Sequence, residues 1–269
     1  MHGGVSLGKR LRGRWLELRR LAGRSTRLKL AAIGTAAALL CWLIYLNTHV
    51  VYTSCREDQP LAVVRGGFMP DKAFEEIRSA AAGDPLALRN ELNEDNFKYT
   101  RGWVVKFNRE GLARVRGNDS WAYAVRYFDA VENPEANAFV MNLLVAEQPP
   151  AGEGDAVGPH FDDTVAIFSE KELLAHQVNV LYVGVPEDIE GGQLEVWPYQ
   201  YTDRETYKTV IQPRENSMVE FRGDACHRVR NFQSPSGQAR MSLVVEQYIV
   251  PPGLYASTAE FCFANECWV

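Results

Sequence analysis

The sequence predicts a mainly β domain with flanking helices, standing behind one apolar N-terminal segment. Three observations carry that prediction. From Val165 onward short apolar runs recur regularly, at Val165–Phe168, Val178–Val183, Gln193–Trp197, Thr209–Gln212, Met218–Phe221, Ala225–Arg230 and Arg240–Ile249. Turn signals separate them, among them Gly191-Gly192, Pro213–Asn216 and Ser234–Gly237, and such punctuation suggests a jelly-roll barrel or sandwich. Helical periodicity is confined to the part before Val131, and Leu30–Leu46 runs for seventeen residues without a charge.

Taken in order, residues 1–29 hold nine Lys/Arg against one acid, Glu17. The charge-free run continues less cleanly to Tyr52, and only with that extension is it long enough for a bilayer. Trp42 and Tyr45 suit an interfacial end. A cleaved signal peptide or a buried helix are the alternatives, but the basic leader is long for a signal peptide and no small-x-small site follows closely. The expectation is a cytoplasmic tail (1–29), a single-pass signal anchor (30–52) and a lumenal domain (53–269, core 138–250) of the endoplasmic reticulum or Golgi, because the basic excess precedes the span.

Of 29 basic and 34 acidic residues, nine and one lie in the tail, so a net charge of −5 for the whole chain becomes close to −13 for the remainder. That excludes nucleic acid as a partner, since phosphate backbones need basic grooves. Cys41 lies within the apolar segment. Cys226 reads as a buried thiol in a core strand, and one disulfide is expected among Cys55, Cys262 and Cys267, with the pairing open. Asn118-Asp119-Ser120 fits the glycosylation acceptor pattern.

Residues 53–66 form a stem and a first strand. Asp71–Ala82 has helical spacing of Ala73, Phe74, Ile77, Ala80 and Ala81, with Asp71 as its cap. A second helical piece is expected at Asp84–Asn93, a strand at Trp103–Phe107, an aromatic core helix at Ser120–Val131 and an apolar strand at Ala138–Ala146. Pro149–Gly158 is a loop of the kind that lids an entrance.

The chemistry lies between His160 and Arg240. His160 and Asp162 stand two residues apart, so on an extended strand they share a face. His227, in G-D-A-C-H-R-V, can complete a 2-His-1-carboxylate set, the ligand triad of non-haem Fe(II) oxygenases, which leaves coordination positions open. Arg240, thirteen residues further on, can hold a carboxylate through two charge-assisted hydrogen bonds, with Ser242 beside it.

These residues, with L-Y-V-G at Leu181–Gly184, E-G-G-Q-L at Glu190–Leu194 and N-S-M-V-E-F-R-G-D-A-C-H before the distal histidine, resemble the 2-oxoglutarate/Fe(II)-dependent dioxygenases, in their prolyl 4-hydroxylase-like branch. The likeness spans roughly residues 60–250. It implies a double-stranded β-helix, Fe(II) held by His160, Asp162 and His227, and 2-oxoglutarate held by Arg240, Ser242 and Tyr182. It further implies consumption of O2, release of succinate and CO2, and hydroxylation of a C–H bond, with ascorbate as an optional reductant. Arginine rather than lysine after the distal histidine, and no tyrosine just before the H-x-D loop, leave the substrate open. A peptidyl residue leads, with tyrosines of Tyr199–Tyr207 at the rim, and a free amino acid or other small molecule is the alternative. A type II Golgi glycosyltransferase shares the topology, but no D-x-D occurs in the chain. A non-catalytic binding module on the same fold is the other rival.

Overall fold

A computed structural model of the chain describes residues 33–35, 37–42, 51–88, 95–150, 152–165, 172–198 and 207–263. The chain divides into two units, Met1–Val50 and Val51–Val269. In the first, the described residues are helical, with Ile33, Leu39, Leu40 and Trp42 exposed. Among the described residues no helix is long and apolar enough to cross a membrane. The basic tail and most of the expected span at 30–52 lie outside the described residues.

The second unit runs β1 (Ala62–Gly66), α1 (Asp71–Ala82), β2 (Thr100–Asn108), α2 (Leu112–Arg116), α3 (Ala122–Val131), β3 (Ala138–Ala146) and β4 (Val157–His160). It continues through β5 (Gln177–Gly184), β6 (Glu190–Gly191), β7 (Leu194–Pro198), β8 (Thr209–Ile211) and β9 (Ser217–Arg222). Then come β10 (Ala225–Val229), β11 (Phe232–Gln233), β12 (Arg240–Tyr248) and β13 (Phe261–Phe263). A seven-stranded sheet has the order β1-β9-β5-β12-β3-β2-β13, a four-stranded one β4-β10-β7-β8, and β6 pairs with β11. All of these pairings are antiparallel, so the architecture is mainly β and jelly-roll-like.

One core lies between the two larger sheets, where Val140, Val178, Val180, Phe221 and Val244 of the large sheet meet Val157, Leu194, Val196, Ala225 and Val229 of the small one. The other face of the large sheet is also apolar. Trp103, Phe107, Phe139, Met141, Leu143 and Leu243 form a second core with Phe74 and Ile77 of α1 and Tyr127 and Phe128 of α3. That is why β3 reads as a near-continuous apolar run rather than an alternating one. Each such side chain contributes roughly 1.5–3 kcal/mol on burial. The flanking helices expected from the sequence thus cover this outer face of the large sheet.

Several local expectations need correcting. The N-cap of α1 is Pro70, and Asp71 is the first helical residue, where its charge faces the positive end of the helix. The piece at Asp84–Asn93 is a short 3-10 turn at Pro85–Leu88, tied by Asp84, whose Oδ1 accepts from Leu86 N at 2.8 Å. Residues 89–94 lie outside the described residues. So do 166–168 of the strand expected at Val165–Phe168, and Val165 itself sits in a turn. The lid loop gives way to β4 at Val157, because β10 is available for pairing. Cys55 is not in a disulfide. Its thiol instead donates to backbone carbonyls of Ala175 and His176, while Cys262 is disulfide-bonded and Cys226 is a buried thiol outside any disulfide.

Candidate metal centre

His227 is the third residue of β10, and its register partner on β4 is His160. Directly opposed residues on neighbouring strands share a face, so the pairing alone sets two imidazoles side by side. Their ring centroids are 4.2 Å apart. Asp162 lies two residues beyond β4, not on an extended strand, and the loop brings it back to them. His160 Nε2 is 3.8 Å from Asp162 Oδ1, and His227 Nε2 is 3.6 Å from Asp162 Oδ2. One ligand atom from each residue falls within 4.8 Å of the other two.

The two histidines present the same nitrogen inward for a physical reason. His160 Nδ1 is 2.8 Å from Gly158 O, and His227 Nδ1 is 3.3 Å from Ala225 O. A carbonyl only accepts, so each Nδ1 carries the proton and donates, which leaves the Nε2 lone pairs for a cation. Phe97 and Phe221 pack against His160 and His227, at 5.0 Å and 4.7 Å between centroids. Burial, reinforced by His160, holds His227 well below its ordinary pKa, so it is neutral. Burial, and then the charge of Asp163, pushes Asp162 up to about 7. A divalent cation among the buried carboxylate and the two inward Nε2 atoms would supply a countercharge to Asp162.

Further along the barrel, Arg240 opens β12. Side chains alternate along a strand, so Arg240, Ser242, Val244, Glu246 and Tyr248 all face inward. Register places Tyr182 of β5 beside Ser242. The Arg240 guanidinium lies over the Tyr182 ring, 4.8 Å from its centroid. Arg240 Nε, Ser242 Oγ, Tyr182 OH and Asp162 Oδ2 are all buried with no hydrogen-bond partner. Buried polar groups are nearly always satisfied, and each left alone costs about 1–3 kcal/mol. Four orphans, three of them donors around one guanidinium, fit an anionic ligand at one end and a cation at the other. Burial raises the Tyr182 pKa and the neighbouring guanidinium opposes the rise, so its hydroxyl keeps its proton to donate. Arg228 and Arg230 do not compete for this place. Arg228 faces the other side of β10 and pairs with Glu195 at 2.6 Å and Asp155 at 3.3 Å, while Arg230 lies 3.5 Å from Asp155.

The sequence reading missed the polar group beside the metal ligands. Glu246 is fully buried and accepts from Tyr248 OH, from Asn142 Nδ2 at 3.1 Å and from Thr164 Oγ1 at 3.3 Å. Lys106 Nζ reaches Thr164 O at 2.6 Å, so this cluster grips the loop that carries Asp162. Burial, and next Asp162, pushes Glu246 up to about 8. The period of two counted from Arg240 would have flagged it, since it places a carboxylate on the inward face. Of the rim tyrosines, Tyr207 is described and exposed, while 199–206 lie outside the described residues.

No family model and no curated protein matches the chain. Solved structures do. A Pseudomonas putida prolyl-4-hydroxylase matches with 15% identity over 70% of this chain and 91% of its own, at a TM-score of 0.45. An oxidoreductase of the 2OG-Fe(II) oxygenase family from Burkholderia pseudomallei matches with 14% identity over 75% and 96%, at 0.43. A Trichoplax adhaerens prolyl hydroxylase, solved with a hypoxia inducible factor oxygen degradation domain peptide fragment, matches with 13% identity over 70% and 83%, at 0.44. Similarity at this level leaves the site's own chemistry to carry the function.

Proposed function

We propose that the domain is an Fe(II)- and 2-oxoglutarate-dependent dioxygenase of the double-stranded β-helix type that hydroxylates a C–H bond, with a peptidyl residue as substrate class. The observation that carries the reading is the buried set of His160, Asp162 and His227, whose ligand atoms lie within 4.8 Å of one another. Two neutral imidazoles and one carboxylate suit Fe(II) and leave positions open. The orphaned donors of Arg240, Ser242 and Tyr182 support an anionic cosubstrate.

Iron, when bound, supplies the activation of dioxygen that side chains cannot. His160, Asp162 and His227 would hold it. Arg240 and Ser242 would fix the far carboxylate of 2-oxoglutarate, and the Tyr182 hydroxyl would donate to the same group. Val178, Val180, Val219 and Val244 belong to the same buried apolar core as Tyr182, which would keep the surroundings of the cosubstrate apolar. Overall, 2-oxoglutarate, O2 and R–H become succinate, CO2 and R–OH. Exposed Tyr207 and Val210, at the edge of the four-stranded sheet, support an extended chain as substrate, because an aromatic ring offers both a stacking face and a hydroxyl.

The test is Fe(II)-dependent succinate release from 2-oxoglutarate, with lumenal-type peptides offered beside free amino acids and the gain of one oxygen atom followed by mass. No succinate would sink the oxygenase reading, and oxygen gain by the free amino acid alone would end the peptide reading. We also infer the membrane anchor, on the nine-to-one basic bias of residues 1–29 and the charge-free run after it. Protease added to sealed microsomes should trim the tail and spare the domain. Digestion of the domain in intact vesicles would reverse the orientation.

A further inference from the structure

Asp162 lies outside any strand, so something other than a sheet ladder must hold its main chain. Its carbonyl accepts from Ala175 N at 2.9 Å. Ala175 belongs to the extended stretch Glu172–His176, which is pinned from several sides. His176 N donates to Gln247 O at 2.7 Å, near the end of β12. Gly223 packs so closely that a Cβ there would stand 2.0 Å from Ala175 O. The remaining side is covered by the chain's own residues Val51–Cys55, which precede β1. Tyr52 N donates to Glu172 O and Leu174 N donates to Tyr52 O, both at 2.9 Å, in a parallel bridge between Tyr52 and Leu173. Ser54 Oγ lies 2.9 Å from His176 Nδ1. The Cys55 thiol donates to the carbonyls of Ala175 and His176 at 3.4 and 3.1 Å.

We propose that Val51–Cys55 is a strap that positions the carboxylate ligand, with Tyr52, Ser54 and Cys55 as positioning residues for Asp162. The proposal rests on the metal reading of the triad. None of the three touches the ligand atoms. They act through Glu172–His176, whose Ala175 amide is the tie to Asp162. Without the strap that stretch keeps fewer backbone partners and opens more often. If the aligned form falls to about a tenth of the population, the apparent Kd for a cation rises about tenfold.

The probe is Co(II), titrated into the full chain and read by its visible ligand-field spectrum, together with hydrogen exchange at residues 172–176 of the metal-free protein. Tyr52→Pro deletes the donated amide, and Ser54→Ala with Cys55→Ala deletes the side-chain contacts. The expected result is a Co(II) Kd raised about tenfold, an altered Co(II) spectrum and faster exchange of the Ala175 amide, with the 2-oxoglutarate requirement unchanged at saturating metal. Cys55→Ser, which keeps a donor, should recover most of the affinity, and Arg56→Ala, just beyond the strap, should change nothing. If Tyr52→Pro fails to fold, the Ser54/Cys55 pair decides alone. Variants with unaltered Co(II) affinity and Ala175 exchange overturn the strap while leaving the metal reading intact. An unaltered chain that binds no Co(II) overturns both.

Discussion

Arg240 offers a single-residue test of the cosubstrate site. It is buried, and its Nε lacks a partner. Arg240→Ala should raise the apparent 2-oxoglutarate requirement by a factor equivalent to about 3–5 kcal/mol, the cost of breaking a desolvated ion pair by removing one side. Tyr182→Phe should cost about 0.5–1.5 kcal/mol by the same titration, one hydrogen bond's worth. An unchanged requirement in Arg240→Ala would show that the carboxylate goes elsewhere. His227→Ala or Asp162→Ala should abolish divalent-metal binding in a Co(II) titration, since each removes one of three ligands and leaves the rest buried. The triad, Arg240, Ser242 and Tyr182 were legible because their types and spacing are distinctive. Glu246, Asn142, Thr164 and Lys106 were not. Such residues are ordinary on a strand or loop, and only the register that sets Asn142 of β3 beside Val244 of β12 makes them neighbours.

At the scale of elements, the strands were legible wherever an apolar run was long. β3 and α1 match the expected bounds residue for residue, because β3 is covered on both faces and α1 carries a clear stripe. β4, β6, β11 and β13 were missed, being two to four residues each and held by partners rather than by composition. The loss matters for β4, since it delivers His160. Close packing at Gly102 on β2 supplies a stability test. Its φ is +143°, and a Cβ would stand 1.8 Å from Leu143 O. Gly102→Ala should therefore destabilise the domain by about 1–3 kcal/mol in denaturant unfolding. Asp84 supplies another, since its Oδ2 accepts from Trp103 Nε1 at 2.9 Å and from Tyr123 OH at 2.6 Å. Asp84→Ala would leave the buried indole N–H unsatisfied, at about 1–3 kcal/mol in the same measurement.

For the whole molecule, the buried acids set a pH dependence that metal should reverse. Glu246 is pushed up from 4.5 to about 8 and Asp162 from 3.8 to about 7. Asn142, Thr164, Tyr248 and Lys106 are the groups around Glu246, and desolvation outweighs them. In the metal-free protein the folded state holds protons that the unfolded chain has released. The stability these two groups contribute is therefore full below about pH 4 and is lost as pH rises toward 8. Thermal unfolding of metal-free protein across that range should show the midpoint falling, and Glu246→Gln should flatten the slope. With Co(II) present the dependence on Asp162 should change sign, because the cation binds the ionised form. A midpoint independent of pH in the metal-free protein would refute the account. The sequence could show that the acids exist but not that they are buried beside each other.

The alternation along β12 has one more consequence. Its inward face begins with a guanidinium and reaches a carboxyl six residues later, at Glu246, roughly 20 Å away at about 3.3 Å per residue. The strand thus carries a fixed positive charge at one end and a buried, proton-holding acid at the other. A dianion entering this space meets attraction at Arg240 and otherwise only buried acids, Asp162 and Glu246, unless a cation sits in the ligand set first. Binding should therefore be ordered, metal before diacid. Metal content and diacid affinity should rise together: the metal-free protein should bind 2-oxoglutarate more weakly than the Co(II)-loaded protein in a direct titration.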